Sequence, residues 1–390
     1  RGKPGGGGAS FEIPSGLESA CDMPLLANKT ILLRAVGLPV CCDLPRLAQF
    51  LRKEGATLLI DCEPEVADFL GARARDGLSS RTSRTGAAPD AVLAAPASLP
   101  FLHKLLEERE PSTAPPLVAA PFLTEQERTA QETSSFLHAA SVQGITLLPP
   151  RGIEEAMLPQ SEILEALVSS LQRRDLAGTS ILVTAGPTIE DLDPVRFLSN
   201  RSTGKMGLAL ATVAARRGAE VHLIHGPLTL SIPSNSNITA VAVRSATEMA
   251  AAVMERASHV SAVVMSAAVA DYTPVTVADQ KLKKSQAGMT LQLKRTTDIL
   301  ASLGQLPERP ILVGFAAETD NLQTRAMDKL ERKNCDAICA NNVALPGSGF
   351  GTDTNRVTIF LRSGDTIDLP LLTKTEVAKR ILDIVKDLVQ

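Results

Sequence analysis

Short apolar, β-branched runs alternate with stretches of helical period along almost the whole chain, and this alternation limits the possible folds more than any other feature. In the second half, strands are expected at 180–184, 220–224, 238–242, 261–266, 311–315 and 336–340, with a hairpin near 356–369. Helices should cover 204–217, 246–257, 297–303, 319–333 and 374–389. The first half repeats the pattern, with strands at Thr30–Leu33, Ala56–Ile60, Ala91–Ala95, Pro115–Ala120 and Thr146–Leu148. Its helices are Leu44–Lys53, closed by Gly55, then Glu125–Ser141, and Glu162–Arg173 with Ser161 as N-cap. Strand–helix alternation of this kind predicts an α/β chain of three-layer domains with mostly parallel sheets.

At 390 residues there is room for two such domains. The expected division is a flexible tail at 1–28, one domain at 29–174 and a second at 175–390, with the Arg174–Gly178 segment as boundary. The Gly-rich start, Arg1 to Gly8, has no apolar stretch behind it and does not read as a signal peptide. The absence of an initiator Met points to a processed or incomplete N-terminus. The formal charge of −3, with both signs interspersed, leaves no footprint for nucleic acid or an anionic membrane. The longest apolar run, Val260 to Ala270, is far short of the roughly 18 residues of a membrane span.

The six cysteines (21, 41, 42, 62, 335 and 339) lack Cys-x-x-Cys spacing and read as reduced, mostly buried thiols of a cytoplasmic protein. The five histidines form no ligand pattern, so no structural zinc is expected.

Open parallel sheets bind ligands beyond the carboxyl ends of their strands. After Ile181–Thr184 come Gly186-Pro187-Thr188, then Arg196, and then Ser199-Asn200-Arg201-Ser202-Thr203-Gly204-Lys205-Met206-Gly207, which opens an Ala-rich helix. Backbone N–H groups and a positive helix end suit a phosphate. Neither common nucleotide motif fits. A Walker A loop needs Gly six residues before its Lys and Ser or Thr after it, where this chain has Ser199 and Met206. A dinucleotide fingerprint needs Gly-x-Gly-x-x-Gly, and Gly186 stands alone.

Other strand ends add chemistry. Ser266-Ala267-Ala268-Val269-Ala270-Asp271 supplies small residues and a carboxylate that could hold Mg²⁺ on a nucleotide or simply cap a turn. Lys281-Leu282-Lys283-Lys284 follows on a polar loop, either as a solvated face or as ammonium groups for a polyphosphate. Phe315 suits a flat base, and Lys329 and Lys333, four apart, share a helix face. Asn, Arg, Asp, Phe and several Lys at one sheet edge suit an anionic substrate with a nucleoside triphosphate. No Ser-His-Asp set or reactive Cys–His pair competes with them.

At these residues the chain closely resembles the phosphopantothenate–cysteine ligase family of coenzyme A biosynthesis, the C-terminal part of a bifunctional decarboxylase–ligase. The resemblance covers about 176–390, through TAGPT, DPVRFLSNRSTGKMG, SAAVADY, KLKK, GFAAET and the Lys329–Asn341 stretch. It implies a Rossmann-like ligase domain in which CTP activates the carboxylate of 4′-phosphopantothenate as an acyl-cytidylate, which cysteine then attacks. It assigns Asn200 and Lys281 to catalysis, and Arg196, Asn200, Ser202 and Thr203 to the acyl substrate. CTP would fall to Met265, Ser266, Ala267, Asp271, Lys281, Thr297, Asp298, Ile299, Leu300, Phe315, Lys329 and Lys333, with Mg²⁺ at Asp271. Thr297-Asp298 departs from the more usual Pro-Asp. Family members of this kind are dimers, so a homo-oligomer is expected.

The first half is similar to the flavodoxin-like decarboxylase in degraded form. Gly37 and Ser98 stand where FMN would be held, in Val36-Gly37-Leu38-Pro39-Val40 and Ala95-Pro96-Ala97-Ser98. Asp43 replaces a customary Lys. The family's catalytic His is missing from 76–90, Pro121-Phe122-Leu123-Thr124 replaces Pro-Ala-Met-Asn, and Pro149 to Pro159 has no Cys. These losses argue against decarboxylation and against a retained flavin, and favour a scaffold role. Two alternatives remain open at this point: a fully bifunctional enzyme with substitute flavin-site residues, and a non-catalytic nucleotide-binding scaffold.

Overall fold

The computed structural model describes residues 24–35, 43–62, 88–110, 113–152, 155, 157–282, 289–318, 322–342, 349 and 351–390. Gly37, Lys283, Lys284, the cysteines at 21, 41 and 42, and most of the 76–90 loop lie outside these residues.

The first unit is built on one parallel sheet. Its strands are β1 (Thr30–Ala35), β2 (Thr57–Cys62), β3 (Ala91–Ala97), β4 (Leu117–Leu123), β5 (Thr146–Leu147) and β6 (Arg151–Gly152). Their order is β2-β1-β3-β4-β5, with β6 paired to β4, the order of doubly wound flavodoxin-like sheets. The helices are α1 (Leu44–Lys53), α2 (Leu99–Glu107), α3 (Glu125–Thr129), α4 (Gln131–Val142) and α5 (Gln160–Ser170). Leu44, Leu47, Ala48 and Leu51 of α1 pack with Ile163 and Leu167 of α5 on one face of the sheet. Leu102 and Leu105 of α2 and Ala140 of α4 cover the other.

Several expectations for this half need correction. The proposed tail does not extend to residue 28, because Leu26 is fully buried and its N–H donates to Glu54 O at 2.8 Å. The single helix over 125–141 is two, parted at an extended Ala130 (ψ 128°). Ser161 lies inside the first turn of α5, whose N-cap is Pro159. β4 runs on through Pro121, which is tolerated because the β3–β4 ladder shifts register there.

The second unit has the strands β7 (Ser180–Ala185), β8 (Ile189–Asp191), β9 (Phe197–Ser199), β10 (Glu220–His225), β11 (Ile238–Ala242), β12 (Ala262–Met265), β13 (Tyr272–Pro274), β14 (Leu293–Arg295), β15 (Ile311–Glu318), β16 (Ala337–Asn342), β17 (Thr354–Asn355), β18 (Thr358–Leu361), β19 (Thr366–Asp368) and β20 (Leu372–Thr373). Its helices are α6 (Lys205–Arg216), α7 (Ala246–Arg256), α8 (Ile299–Gly304), α9 (Leu322–Arg332) and α10 (Lys374–Val389). The main sheet runs β11-β10-β7-β12-β15-β16-β18-β19. Pairings are parallel as far as β16 and antiparallel from β16 onward. Helices α6 and α10 cover one face, while α7, α8 and α9 cover the other.

Chain order reverses between β7 and β12, the first and fourth strands of this sheet. Such a switch point opens a crevice at the carboxyl ends of the two strands. Here the crevice is stitched rather than empty. Thr184 and Thr188 are fully buried, and their hydroxyls accept from Ala267 N (3.1 Å) and Ala270 N (3.0 Å). Ser266 Oγ donates to Thr184 O at 2.6 Å.

The two units meet where Arg216 of α6 forks onto Glu165 of α5, with Nε contacts of 3.0 and 3.1 Å. The adjacent Arg217 grips Asp175 (2.8 and 2.9 Å) and Asp383 (2.9 Å), tying the boundary segment to α10. No helix among the described residues is long and apolar enough to cross a membrane.

Candidate functional site

A cavity of about 1520 Å³ opens over the carboxyl edge of the second sheet, at the switch point. Its walls come from segments far apart in sequence: 200–207, 265–272, 295–300, Phe315, α9 with Lys333, and Lys374.

The 199–207 loop is held by two anchors. Ser199 Oγ donates to Thr188 O at 2.8 Å, and Asn200 Nδ2 donates to the carbonyls of Ala268 (3.0 Å) and Val269 (3.3 Å). Gly204, the N-cap of α6, has φ +79°, a left-handed conformation that L side chains resist. It turns the chain so that Lys205 and Met206 open the helix against the cavity. Gly207 lets that helix touch the strands: a Cβ there would lie 2.5 Å from Ala185 Cβ and 2.8 Å from Thr184 O. Asn200, Ser202 and Thr203 all line the cavity.

Asp271 is exposed on the cavity wall, and among the described residues no capping bond engages its carboxylate. Among the described residues no group of three or more His, Cys, Asp and Glu could hold a metal. One carboxylate is nonetheless enough for a Mg²⁺ whose other ligands are phosphates and water.

Across the cavity, Asp298 caps α8 by accepting from Ala301 N (3.0 Å), and its second oxygen is ion-paired with Lys333. Burial pushes the Asp298 carboxyl up, but the Lys333 and Ala301 hydrogen bonds and nearby Lys329 outweigh it and hold the group below its ordinary value. Lys329 Nζ donates to Phe315 O at 2.7 Å. Phe315 lies within β15, which continues three residues beyond the expected strand end. Lys333 stands just past α9, and its N–H still donates to Lys329 O (3.0 Å), so the two lysines keep one helical face. Met265, Ser266, Ala267, Thr297, Ile299 and Leu300 complete this side.

Two expected site residues stand outside the lining. Arg196 Nη1 donates to Leu282 O (3.3 Å) and lies 3.6 Å from Asp193, so it braces the lysine-bearing loop. Lys281, next in chain to Leu282, also lies off the cavity wall in this conformation. Conversely, sequence reasoning gave no site role to Lys205, which it read only as part of the phosphate-suited loop, and passed over Arg295 and Lys374; all three line the cavity. Lys205 and Lys374 carried a legible signal. Each is the first residue of its helix, where the macrodipole disfavours a cation.

Cys335 and Cys339 are buried and free. Burial pushes both thiols up, Cys335 to about 11, so neither is a ready thiolate.

Fold and cavity together define an α/β protein with a large polar cavity at the switch point of a Rossmann-like sheet, joined to a flavodoxin-like unit. The C-terminal domain of the DNA/pantothenate metabolism flavoproteins matches residues 176–388. The coenzyme A biosynthesis bifunctional protein CoaBC of Vibrio cholerae serotype O1 is 34% identical over 400 residues, covering 94% of this chain and 100% of that protein. The CoaBC protein of Bacillus subtilis (strain 168) is 50% identical over 207 residues, 53% of this chain and about half (51%) of that protein. A crystal structure of a CoaBC C-terminal domain is 42% identical and covers 55% of this chain and 98% of that one, with a TM-score of 0.48. The chain belongs to the family of bifunctional coenzyme A biosynthesis proteins. Residues 176–388 are its phosphopantothenate–cysteine ligase part, and the N-terminal unit is its flavodoxin-like decarboxylase part.

Proposed function

We propose that the second unit joins 4′-phosphopantothenate to L-cysteine at the expense of CTP. A carboxylate oxygen of the acid attacks the α-phosphorus, and pyrophosphate leaves. The cysteine amine then attacks the acyl carbon of the resulting acyl-cytidylate, the C–O bond breaks, and CMP leaves with the electron pair. The observation that carries this reading is one cavity holding both the Asn200–Thr203 loop and the Phe315/Lys329/Lys333 face.

In this reading Asn200 orients the acyl carboxylate. Lys329 and Lys333 exchange their present partners, Phe315 O and Asp298, for phosphate oxygens. Lysines so placed stabilise charge that builds up in the transition state. Asp271 would hold a Mg²⁺ that neutralises the triphosphate. Lys281 is assigned to the triphosphate as a further ammonium group. The test is an assay of purified protein with phosphopantothenate, cysteine and each nucleoside triphosphate in turn, following pyrophosphate. CTP-dependent release that requires the acid supports the reading, and release from no nucleotide removes it.

The first unit is proposed to be a scaffold without decarboxylase activity. Thr124, standing where the family has Asn, is spent in a capping box: its Oγ1 accepts from Glu127 N (3.2 Å) and donates to Glu127 Oε2 (2.8 Å). Ser98, the remaining described candidate for a flavin contact, begins α2 without a capping bond. The described residues thus do not fit the decarboxylation chemistry, and no step is assigned to FMN. Absence of flavin absorbance and of carbon dioxide release would agree, whereas a yellow, decarboxylating protein would restore the bifunctional reading.

A homodimer is also proposed. The β8–β9 and β13–β14 hairpins leave Val195, Phe197, Tyr272, Val275, Val277 and Leu293 exposed by 42–58% on neighbouring arms. An apolar patch of this kind on paired arms suits a second copy. A monomer by sedimentation at assay concentration would exclude it.

A further inference from the structure

We propose that Thr188 is a positioning residue for the ligation: it holds the acid-side loop and the nucleotide-side wall of the cavity in one frame, and so sets the separation of Asn200 and Asp271. This assignment rests on the ligase reading above. Thr188 does not line the cavity and is fully buried. Its three polar groups are nonetheless all spent on the segments that form the two sides. The hydroxyl accepts from Ala270 N (3.0 Å), next to Asp271, and the N–H donates to Ala268 O (3.3 Å). The carbonyl accepts from Ser199 Oγ (2.8 Å), next to Asn200. Asn200 Nδ2 donates to the same Ala268 oxygen at 3.0 Å, so Thr188 and Asn200 share one acceptor.

The backbone on either side of Thr188 is pinned to the sheet. Ile189 N–H donates to Arg244 O at 2.8 Å, and a Cβ on Gly226 would fall 1.7 Å from Pro187 O. Residues 266–271, by contrast, run past the end of β12 and leave the ladder that would satisfy their N–H groups. Thr184 and Thr188 supply hydroxyls for two of them, Ala267 and Ala270. A valine at 188 would pack as well but leave a buried N–H without its acceptor, which costs more than the bond itself contributes. Thr184 is tied in this way to Met265, Ser266 and Ala267, all on one side, whereas Thr188 engages both. The frame continues toward the nucleotide. Thr296 donates through Oγ1 to Ala270 O (2.6 Å) and through its N–H to Asp271 O (3.0 Å), and two residues on Asp298 caps α8 and pairs with Lys333. The acid's carboxylate must meet the α-phosphorus in line, so a shift of about 0.5–1 Å between the two sides costs rate while each side still binds its own substrate.

The test follows pyrophosphate release by the full chain in wild type, Thr188→Val, Thr188→Ser and Ser199→Ala. Thr188→Val should lower kcat by about 30-fold while KM for CTP and for 4′-phosphopantothenate each stay within about 2-fold, because each side keeps its own residues. Thr188→Ser keeps the hydroxyl and should recover most of the rate. Ser199→Ala, at an exposed position, cuts the carbonyl link alone. It should lower kcat by about 5-fold with KM held, and it reads the frame even if Thr188→Val does not fold. Wild-type kcat in Thr188→Val or Ser199→Ala, a loss carried by KM, or an equal loss in Thr188→Ser would overturn the assignment in favour of a purely structural threonine. Amide hydrogen exchange keeps the test independent of turnover. In Thr188→Val, residues 199–204 and 268–271 should lose protection together, by about 10-fold or more, while 262–265 in β12 keep theirs. That joint loss supports the frame even if wild type cleaves no nucleotide, in which case only the ligase reading falls. Protection lost on one side alone, or on neither, overturns the frame.

Discussion

Asp193 and Leu282, 89 residues apart, are joined by a hydrogen bond of 3.0 Å from the Leu282 N–H to Asp193 Oδ2. The other oxygen of Asp193 accepts from Val195 N (2.7 Å) and Arg196 N (2.8 Å), so one buried carboxylate shapes the β8–β9 turn and anchors the loop that carries Lys281. Burial pushes this carboxyl up, but the three N–H donors and Arg196 outweigh it and hold the group below its ordinary value.

Asp193→Ala removes the anchor while leaving every cavity-lining residue in place. KM for CTP should rise by about 10-fold, as expected when a fixed loop must be reordered on binding, and the urea midpoint should fall. An unchanged KM with a lowered midpoint would confine Asp193 to the turn.

Lys281→Gln keeps the length of the side chain and removes its charge. If the loop delivers this ammonium to the triphosphate, pyrophosphate release should drop by about 100-fold. Release at the wild-type rate would take Lys281 out of the mechanism.

Asn200→Asp replaces a donor that now serves the Ala268 and Val269 carbonyls with an acceptor that both repel. The acyl-cytidylate should still form, giving one burst of pyrophosphate per site, while its conversion by cysteine slows by about 100-fold. Quenched-flow measurement separates the two steps, and wild-type turnover would remove Asn200 from the second.

Gly207→Ala drives a methyl into Ala185 Cβ and the Thr184 carbonyl, at 2.5 and 2.8 Å, where backbone cannot yield cheaply. A loss of about 1–3 kcal/mol in unfolding free energy is expected, together with weaker binding of the acyl substrate as α6 lifts from the sheet. Denaturant melts and substrate titrations check both, and a variant as stable as wild type would show that the helix can shift freely.

Lys374 makes stability depend on alkaline pH. Its pKa is about 8 in the fold against an ordinary 10.5, so between those values the unfolded chain holds a proton that the folded chain has released. Unfolding free energy should therefore gain from this group as pH climbs through that window, with the burial cost present in full below it. Urea midpoints from pH 7 to 10.5 should rise less in Lys374→Met than in wild type. Parallel curves would assign the alkaline dependence elsewhere.

The long elements of both sheets were legible because periodicity reports burial directly: α1 and β11 fall at the expected residues, and α10 begins and ends where its apolar spacing does. Short elements escaped. The β8–β9 and β13–β14 hairpins have three-residue strands, too few to show a period, and they exist because Asp193, Thr296 and Thr188 bind across to other segments. The break at Ala130 was hidden for the opposite reason. Alanine is the best helix former, and the chain bends there because α4 buries Thr133 and Ala140 while α3 buries nothing.

Sequence by itself determined the α/β class and which residue types stand at the strand ends, since both depend on residue type and local spacing. Tertiary structure alone decided which of those groups share a cavity. The reversal of strand order sets β7 beside β12 and brings Asn200 against Ala268, while Lys374 arrives from more than a hundred residues away. The cost of a buried ammonium without a carboxylate partner is likewise a property of the fold, because it arises only when packing excludes water from Lys374.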